Sequence, residues 1–243
     1  IGSFGRVGES IEEAVQQRLR SQLKSLLAGR ILKTLITGES SALKVRNTIK
    51  SIDNQGASGI VASRGNQESQ TPSPMRNLAE IIQFKPGTDI QIQIQNNEAR
   101  NLYISAVLID SSGNLVVLFP RDWDAPEDAA LVPAGNLIAI PQPGDSFQFR
   151  LRGPSGSLEV LVLASIKPLR RALKGLQNIA RSRNLGRGSP VGLAEDEPVA
   201  VVDNLLGDLD EMTRAGIDFI PRGVQAVDTT QLAALSALIQ VVE

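Results

Sequence analysis

The chain has 243 residues, 42% of them hydrophobic, and a formal net charge of −1 at pH 7. This composition is that of a globular protein with enough apolar residues for one large core or two modest ones. The sequence contains no histidine and no cysteine, so Cys–His dyads, Ser–His–Asp triads, disulfides and ordinary zinc sites cannot be built from this chain alone.

The N-terminal segment predicts a long amphipathic helix followed by a strand. Ser10 and Glu13 form a capping-box pattern that would start the helix, and Gly38 is suited to end it. Residues 43–52 alternate as a half-buried strand does. Because the chain opens with Ile1 rather than Met, we expect a boundary or a cleavage product there. Apolar residues recur at helical spacing at Ile11, Val15, Leu19, Leu23, Leu26, Leu27, Ile31 and Leu35.

The middle of the chain predicts a β-sandwich. It contains short apolar runs separated by turn-forming residues: DIQIQIQ, NLYISAVLI, NLVVLFP, NLIAI, SFQFRLR and SLEVLVLASI. Six or seven strands at near-regular spacing favour an antiparallel sandwich. The preceding stretch is rich in Gly, Ser, Gln and Pro and predicts a linker or a long exposed loop.

The C-terminal part predicts two helices of opposite charge and a final strand. Residues 167–187 carry seven bases and no acid, whereas residues 195–211 carry seven acids and no base. The basic helix could bind nucleic acid or anionic lipid, but we favour pairing between the two helices, and we expect neither nucleic acid nor a membrane as partner. Residues 224–242 fit a strand or a short buried helix, and we favour the strand.

These elements predict an α+β fold in four parts. They are a helix and strand (1–53), a linker (54–80), a β-sandwich domain (81–166) and a helical C-terminal segment with a final strand (167–243). No apolar run reaches the length of roughly 18 residues that spans a bilayer.

Two groups of residues, one acidic and one of glycines, have compositions found in binding sites. Acidic residues around Trp123 could hold a hard cation, but they lack the spacing of a calcium loop, so a solvated loop anchored by the tryptophan is favoured: Asp122, Asp124, Glu127 and Asp128. Gly153 and Gly156 match no phosphate-binding motif and predict a hairpin turn. We therefore expect no metal and no cofactor.

Taken in order, several segments resemble the region that follows the catalytic domain in cyanobacterial orthocaspases, the metacaspase-like members of the caspase family. They are FGRVGESIEEAVQQRLRSQLKSLLAGRILKTL, ALKVRNTIKSID, NLYISAVLIDSSGNLVVLFPRDW, VPAGNLIAIPQ, FQFRLRGPSGSLEVLVLAS and LAALSALIQVV. The likeness covers nearly the whole chain and is weakest between Leu185 and Pro221. The central segment also resembles a domain of unknown function attached to other bacterial proteins.

The resemblance implies a cysteine endopeptidase that uses a His–Cys pair, cleaves after Arg or Lys and processes itself. No residue of this chain corresponds to that pair, so the expected partners are an upstream catalytic domain or chain, on which residues 1–53 would pack, and protein or peptide substrates with basic residues. Basic residues in polar stretches are the candidate self-processing positions: Arg64, Arg181, Arg183 and Arg187. A cysteine-free chain fits a cytoplasmic protein.

Two other functions stay open on the residues alone. The β-sandwich could be a stand-alone protein-interaction module, in which case residues 84–166 would bind a partner without any protease domain. A hydrolase that uses only carboxylates would need two of them facing each other across a cleft. The sequence pattern brings no such pair together.

Overall fold

A computed structural model of the chain describes residues 8, 10–15, 19–36, 43–52, 59–64, 81–111, 113–125, 127–153, 155–185, 189–194, 196–213 and 231–242. The helices are α1 (Ile11–Ala14), α2 (Arg20–Ile36), α3 (Arg170–Ser182) and α4 (Glu197–Thr213). The strands are β1 (Val45–Ser51), β2 (Gly59–Arg64), β3 (Ile81–Phe84), β4 (Asp89–Asn96), β5 (Leu102–Ile109), β6 (Leu115–Phe119), β7 (Leu131–Val132), β8 (Leu137–Ile140), β9 (Phe149–Arg150), β10 (Gly156–Ser165), β11 (Val191–Gly192) and β12 (Leu232–Val241).

The strands form two sheets. The five-stranded sheet has the order β2-β1-β4-β8, with β9 also paired to β4, and the seven-stranded sheet has the order β11-β6-β5-β10-β12-β3, with β7 also paired to β5. Within the described part of the chain the pairings are antiparallel, except that β3 runs parallel to β12. The predicted α+β fold with an antiparallel sandwich, two C-terminal helices and a terminal strand is confirmed.

One core lies between the two sheets. Successive side chains of a strand point to opposite faces, so the Ile-Gln alternation of β4 sends Ile90, Ile92 and Ile94 inward, where each is buried. They belong to one cluster with Ile104 of β5 and Ile239 of β12. Burying each such side chain stabilises the fold by roughly 1.5–3 kcal/mol. Burial of the apolar side chains in this cluster is the main interaction between the two sheets.

A second core lies between the outer face of the seven-stranded sheet and the helices. Leu161 and Leu163 of β10 share this cluster with Leu176 of α3 and with Leu205 and Leu209 of α4. The second half of β10, from Val160 onward, is therefore buried on both faces, which explains why its sequence is a continuous apolar run rather than an alternating one. The same holds for the first half of β12, the terminal run that could also have been a helix.

The strands are distributed differently from the predicted four-part division. Strand β1 pairs with β4 along its whole length, and β12 lies between β10 and β3, so the sandwich extends well beyond residues 81–166. Residues 59–64, within the predicted linker, form β2 on the edge of β1. The physical reason is that β1 supplies an inward face, through Val45 and Ile49, that only the sandwich can bury. Helix α2 ends at Ile36, and Gly38 lies outside the described residues.

Candidate interaction surface

Helix α2 packs on the rest of the molecule through small side chains. Ser25, Ala28, Gly29 and Leu32 are buried on one side of the helix, which contacts α4 and β12. A Cβ atom at Gly29 would lie only 3.1 Å from Cδ1 of Ile109, so glycine permits the close approach. The side of α2 that carries the smallest residues is thus the buried side.

The opposite side of α2 is apolar and exposed. Leu23, Leu26 and Leu27 are each more than half exposed, and Ile11 of α1 is 84% exposed. At about 100° per residue, Leu23 and Leu26 lie across the helix from Ala28, and Leu27 lies about a quarter turn from it. A helix that is apolar on two sides is normally buried on both. The outer side of α1 and α2 therefore has the character of a surface that another polypeptide covers.

A shallow groove of about 350 Å³ runs along this outer side. Its apolar lining comes from four residues that are spaced four apart in the sequence: Val15, Leu19, Leu23 and Leu27. Arg20 and Lys24 complete the lining. We call this groove, together with Ile11 and Leu26, the α1–α2 surface.

Two contacts set the orientation of the α1–α2 surface. Lys24 forms an ion pair with Asp196 just before α4, and this hydrogen bond is the main reason that the pKa of Asp196 is lowered. Leu26 covers Gly113 in the β5–β6 turn, where φ is +83° and a Cβ would lie 2.7 Å from Cδ2 of the leucine. Glycine is required there both by the backbone conformation and by the contact.

The two oppositely charged helices pair with each other, as predicted. Arg171 of α3 forms an ion pair with Glu211 of α4, and Arg183, just after α3, forms one with Glu197. Arg183 also donates to the carbonyl of Gly192. The basic side of α3 is therefore partly neutralised within the chain.

Asp208 of α4 adds a contact that the charge pattern did not predict. Its carboxylate accepts hydrogen bonds from the backbone N–H groups of Arg171 (3.0 Å) and Ala172 (2.9 Å), at the start of α3. Burial raises the pKa of Asp208, and the two N–H donors and the Arg171 charge act against that rise. Asp208 thus caps α3 from a neighbouring helix.

Two of the predicted self-processing arginines lie in regular elements and not in open loops. Arg64 is the last residue of β2, opposite Val45, and Arg181 is in the last turn of α3. Arg183 is held by its contacts with Glu197 and Gly192, while Arg187 lies outside the described residues. The expectation of loop positions is wrong for Arg64 and Arg181, because both belong to regular backbone hydrogen-bonded elements.

The acidic cluster is dispersed around a buried tryptophan. Trp123 is buried in the core under the helices, and Glu127 points outward to an ion pair with Arg170. Within the described ranges, no group of three or more His, Cys, Asp or Glu side chains is placed to hold a metal ion. The anchoring role predicted for Trp123 agrees with its burial.

The apolar spacing in the sequence indicated the stripe that is exposed on the α1–α2 surface. It did not indicate the side of α2 that is buried against the rest of the chain. The available signal was the spacing of Ser25, Ala28 and Gly29, since small residues at i, i+3 and i+4 mark a close helix contact. Leu32 continues the same side of the helix at i+7. The Arg121–Asp145 pair, 24 residues apart, was also missed. It ties the segment after β6 to the segment after β8, and no local pattern marks it.

Comparisons with known proteins bear on the central segment only. A family model described as a domain of unknown function, DUF4384, matches residues 83–168, which run from the end of β3 past β10. Neither the curated proteins nor the solved structures contain a match to the chain. No helix in the described ranges has both the length and the apolar character needed to cross a membrane.

Proposed function

We propose that this chain is the non-catalytic C-terminal part of a caspase-type cysteine endopeptidase of the orthocaspase kind, and that its α1–α2 surface packs against the catalytic domain. The proposal rests on the order of segments that resemble that family and on the absence of His and Cys from the chain. The catalytic pair would come from the upstream domain. We also propose a cytoplasmic location for the protease.

The observation that carries the proposal is the exposed apolar side of α1 and α2. Contiguous apolar patches on a protein surface commonly mark interaction sites. The Lys24–Asp196 pair joins α2 to the start of α4, and the Leu26–Gly113 contact joins it to the β5–β6 turn, so the surface is presented on the folded body of the chain. The sandwich acts in this scheme as a scaffold and not as a source of catalytic groups.

Self-processing in this scheme requires local opening of the chain. Proteases bind extended, unpaired segments, whereas Arg64 lies in a paired strand and Arg181 in a helix. Cleavage after Arg64 would separate β1 and β2 from the rest of the sequence, although both strands would stay paired within the sheet. We expect cleavage after Arg64 or in the Arg181–Arg187 stretch to leave the fragments associated.

The test uses the full-length gene product and the double variant Leu23→Glu, Leu27→Glu. Both side chains are about half exposed, so the fold is expected to survive, whereas two carboxylates would prevent apolar docking. The matched control is Leu137→Glu, an equally exposed leucine on β8 in the five-stranded sheet. Hydrolysis of an arginine-containing peptide should fall about tenfold or more in the double variant and stay unchanged in the control.

Intact mass and N-terminal sequencing provide the second measurement. Fragments that end after Arg64 or within Arg181–Arg187 should appear with the active upstream cysteine and vanish when that cysteine is replaced. A gene product without an upstream His–Cys domain would contradict the proposal. So would full peptide hydrolysis by the double variant. The alternative is then a protein-interaction module built on the sandwich, the segment that the family model of unknown function matches at residues 83–168.

A further inference from the structure

The open end of the sandwich contains an apolar pocket of about 170 Å³. None of the residues that line it belongs to the α1–α2 surface. It lies between the sheets where β4 begins and where β5 and β12 end. Its inner wall is formed by Ile90 and Ile92 of β4 and by Ile239 of β12, all buried. Leu108 and Leu158 line it as well and are only partly buried. The core is therefore accessible from this end.

The mouth of the pocket is formed by β9. Nε and Nη2 of Arg150 donate to the two carboxylate oxygens of Asp89, both at 2.7 Å. This bidentate pair holds Phe149 and Arg150 beside the opening, and the Arg150 side chain stays 59% exposed. Arg150 is the charged residue among those that line the pocket.

Two more cations flank the mouth. The turn that contains Lys85 is hydrogen-bonded to the segment that follows β9: Gly87 N–H donates to the carbonyl of Leu151 (2.7 Å), and Leu151 N–H donates to that of Thr88 (3.0 Å). Lys85 and Arg152 sit at the two sides of this contact, are exposed, and have no ion-pair partner among the described residues. With the Asp89 carboxylate engaged by Arg150, the two segments joined by this contact, 85–88 and 151–153, add two cations and no acid beside the mouth.

We propose that this pocket binds a ligand that joins one phenyl-sized or leucine-sized apolar group to a carboxylate. A cavity of roughly 150 Å³ lined by Leu, Ile and Phe accommodates benzene, so a pocket of this size takes one ring or one branched aliphatic group. The cationic mouth then favours an anionic head group over a neutral one. Two sources offer this chemistry: a free carboxylic acid and the C-terminal residue of a polypeptide.

The test is a titration of the full chain with 3-phenylpropionate, followed by NMR of isotope-labelled isoleucine methyl groups. Shifts should saturate at Ile90, Ile92 and Ile239. The neutral 3-phenylpropanamide should bind about threefold more weakly, as expected for loss of exposed charge interactions, and acetate should cause no shift at these methyls. Added salt should reduce the preference for the carboxylate.

Two variants locate the site. In the double variant Lys85→Gln, Arg152→Gln, both changes are at exposed positions, so the protein should fold normally. Because both cations are removed, it should bind 3-phenylpropionate and 3-phenylpropanamide equally. Leu158→Trp should fill the pocket and abolish the shifts, with Leu137→Trp as the control that keeps them. Absence of saturable shifts, equal binding of acid and amide by the wild type, or unchanged shifts in a folded Leu158→Trp protein would each overturn the proposal.

N-acetyl-phenylalanine distinguishes the two sources. Binding at least as tight as that of 3-phenylpropionate supports capture of a polypeptide C-terminus, whereas binding of 3-phenylpropionate alone supports a free acid. Neither result depends on a protease domain, so the outcome is independent of the function proposed above.

Discussion

Asn47 and Asn96 are both fully buried in the five-stranded sheet, but their amides have different surroundings. Nδ2 of Asn96 donates to the carbonyls of Arg100 (2.9 Å) and Val132 (3.0 Å), and its Oδ1 accepts from the N–H of Glu98 (3.0 Å). Neither amide atom of Asn47 has a hydrogen-bond partner among the residues that the structure describes. An unpaired polar group inside a sandwich core destabilises the fold, whereas a paired one does not.

We therefore expect Asn47→Val to raise the free energy of unfolding by roughly 1–3 kcal/mol. Valine fits an inward strand position between Val45 and Ile49 and removes the unpaired amide. Urea unfolding of both proteins measures the difference. The control, Asn96→Val, should lower the free energy of unfolding because it leaves two carbonyls without their donor. A lower stability of Asn47→Val would show that the Asn47 amide is satisfied in solution.

Asp89 makes stability depend on acid pH. The hydrogen bond from Arg150, and then the charge of that guanidinium, lower the pKa of Asp89 below its ordinary value of 3.8, against the opposing effect of burial. Because the folded pKa lies below the unfolded one, the stabilisation is present above about pH 4 and is lost as pH falls through the folded pKa. Asp89→Asn should therefore be less stable than the wild type at neutral pH.

The measurement is urea unfolding of wild type and Asp89→Asn from neutral pH down to about pH 2. The stability difference should shrink as pH falls below 3.8, because the wild-type carboxylate becomes protonated and resembles the amide. A difference that stays constant over this range would mean that the ion pair with Arg150 makes no net contribution.

At the scale of elements, α3 depends on α4 for its N-terminal cap. Leu169 at the N-cap position of α3 provides no side-chain hydrogen bond, and the N–H groups of Arg171 and Ala172 are satisfied by Asp208. An uncapped helix start leaves backbone donors unsatisfied. The contact between α3 and α4 is thus polar at its edge and apolar through Leu176 and Leu205 at its centre.

We expect Asp208→Ala to lower the free energy of unfolding by roughly 1–2 kcal/mol, the usual value of a lost N-cap. Asp208→Asn should cost less, because an amide oxygen still accepts one N–H bond and carries no charge that burial disfavours. Thermal unfolding followed by circular dichroism compares the two. Equal losses for alanine and asparagine would show that the charge itself, and not the hydrogen bonds, stabilises α3.

At the scale of the whole molecule, the segment that matches the family model is an incomplete sandwich. Residues 83–168 include β4 to β10 but not β1 or β12. Without these strands, β4 loses the partner on one edge and β10 loses β12 along its whole length. Exposed strand edges and an uncovered core favour aggregation over folding.

Consequently, an isolated fragment 83–168 should not fold, whereas residues 43–242 should keep both sheets. Dispersion of amide signals in NMR spectra and near-ultraviolet circular dichroism measure this. Folding of the two fragments also tests the alternative function, because a stand-alone module at residues 84–166 requires the short fragment to fold. A well-dispersed spectrum of fragment 83–168 would contradict the expectation and favour that alternative.

The sequence by itself determined the main helices and strands, although not β2 within the predicted linker, and it determined that the two C-terminal helices complement each other in charge. The Ile-Gln alternation of β4 and the opposite charges near α3 and α4 are local patterns, and side-chain periodicity follows directly from backbone geometry. The tertiary structure alone decided that β1 and β12 complete the sandwich, that the small side of α2 is buried, and that Asp208 caps α3. These features join residues far apart in the chain, and only the spacing of small residues on α2 leaves a periodic trace of them in the sequence.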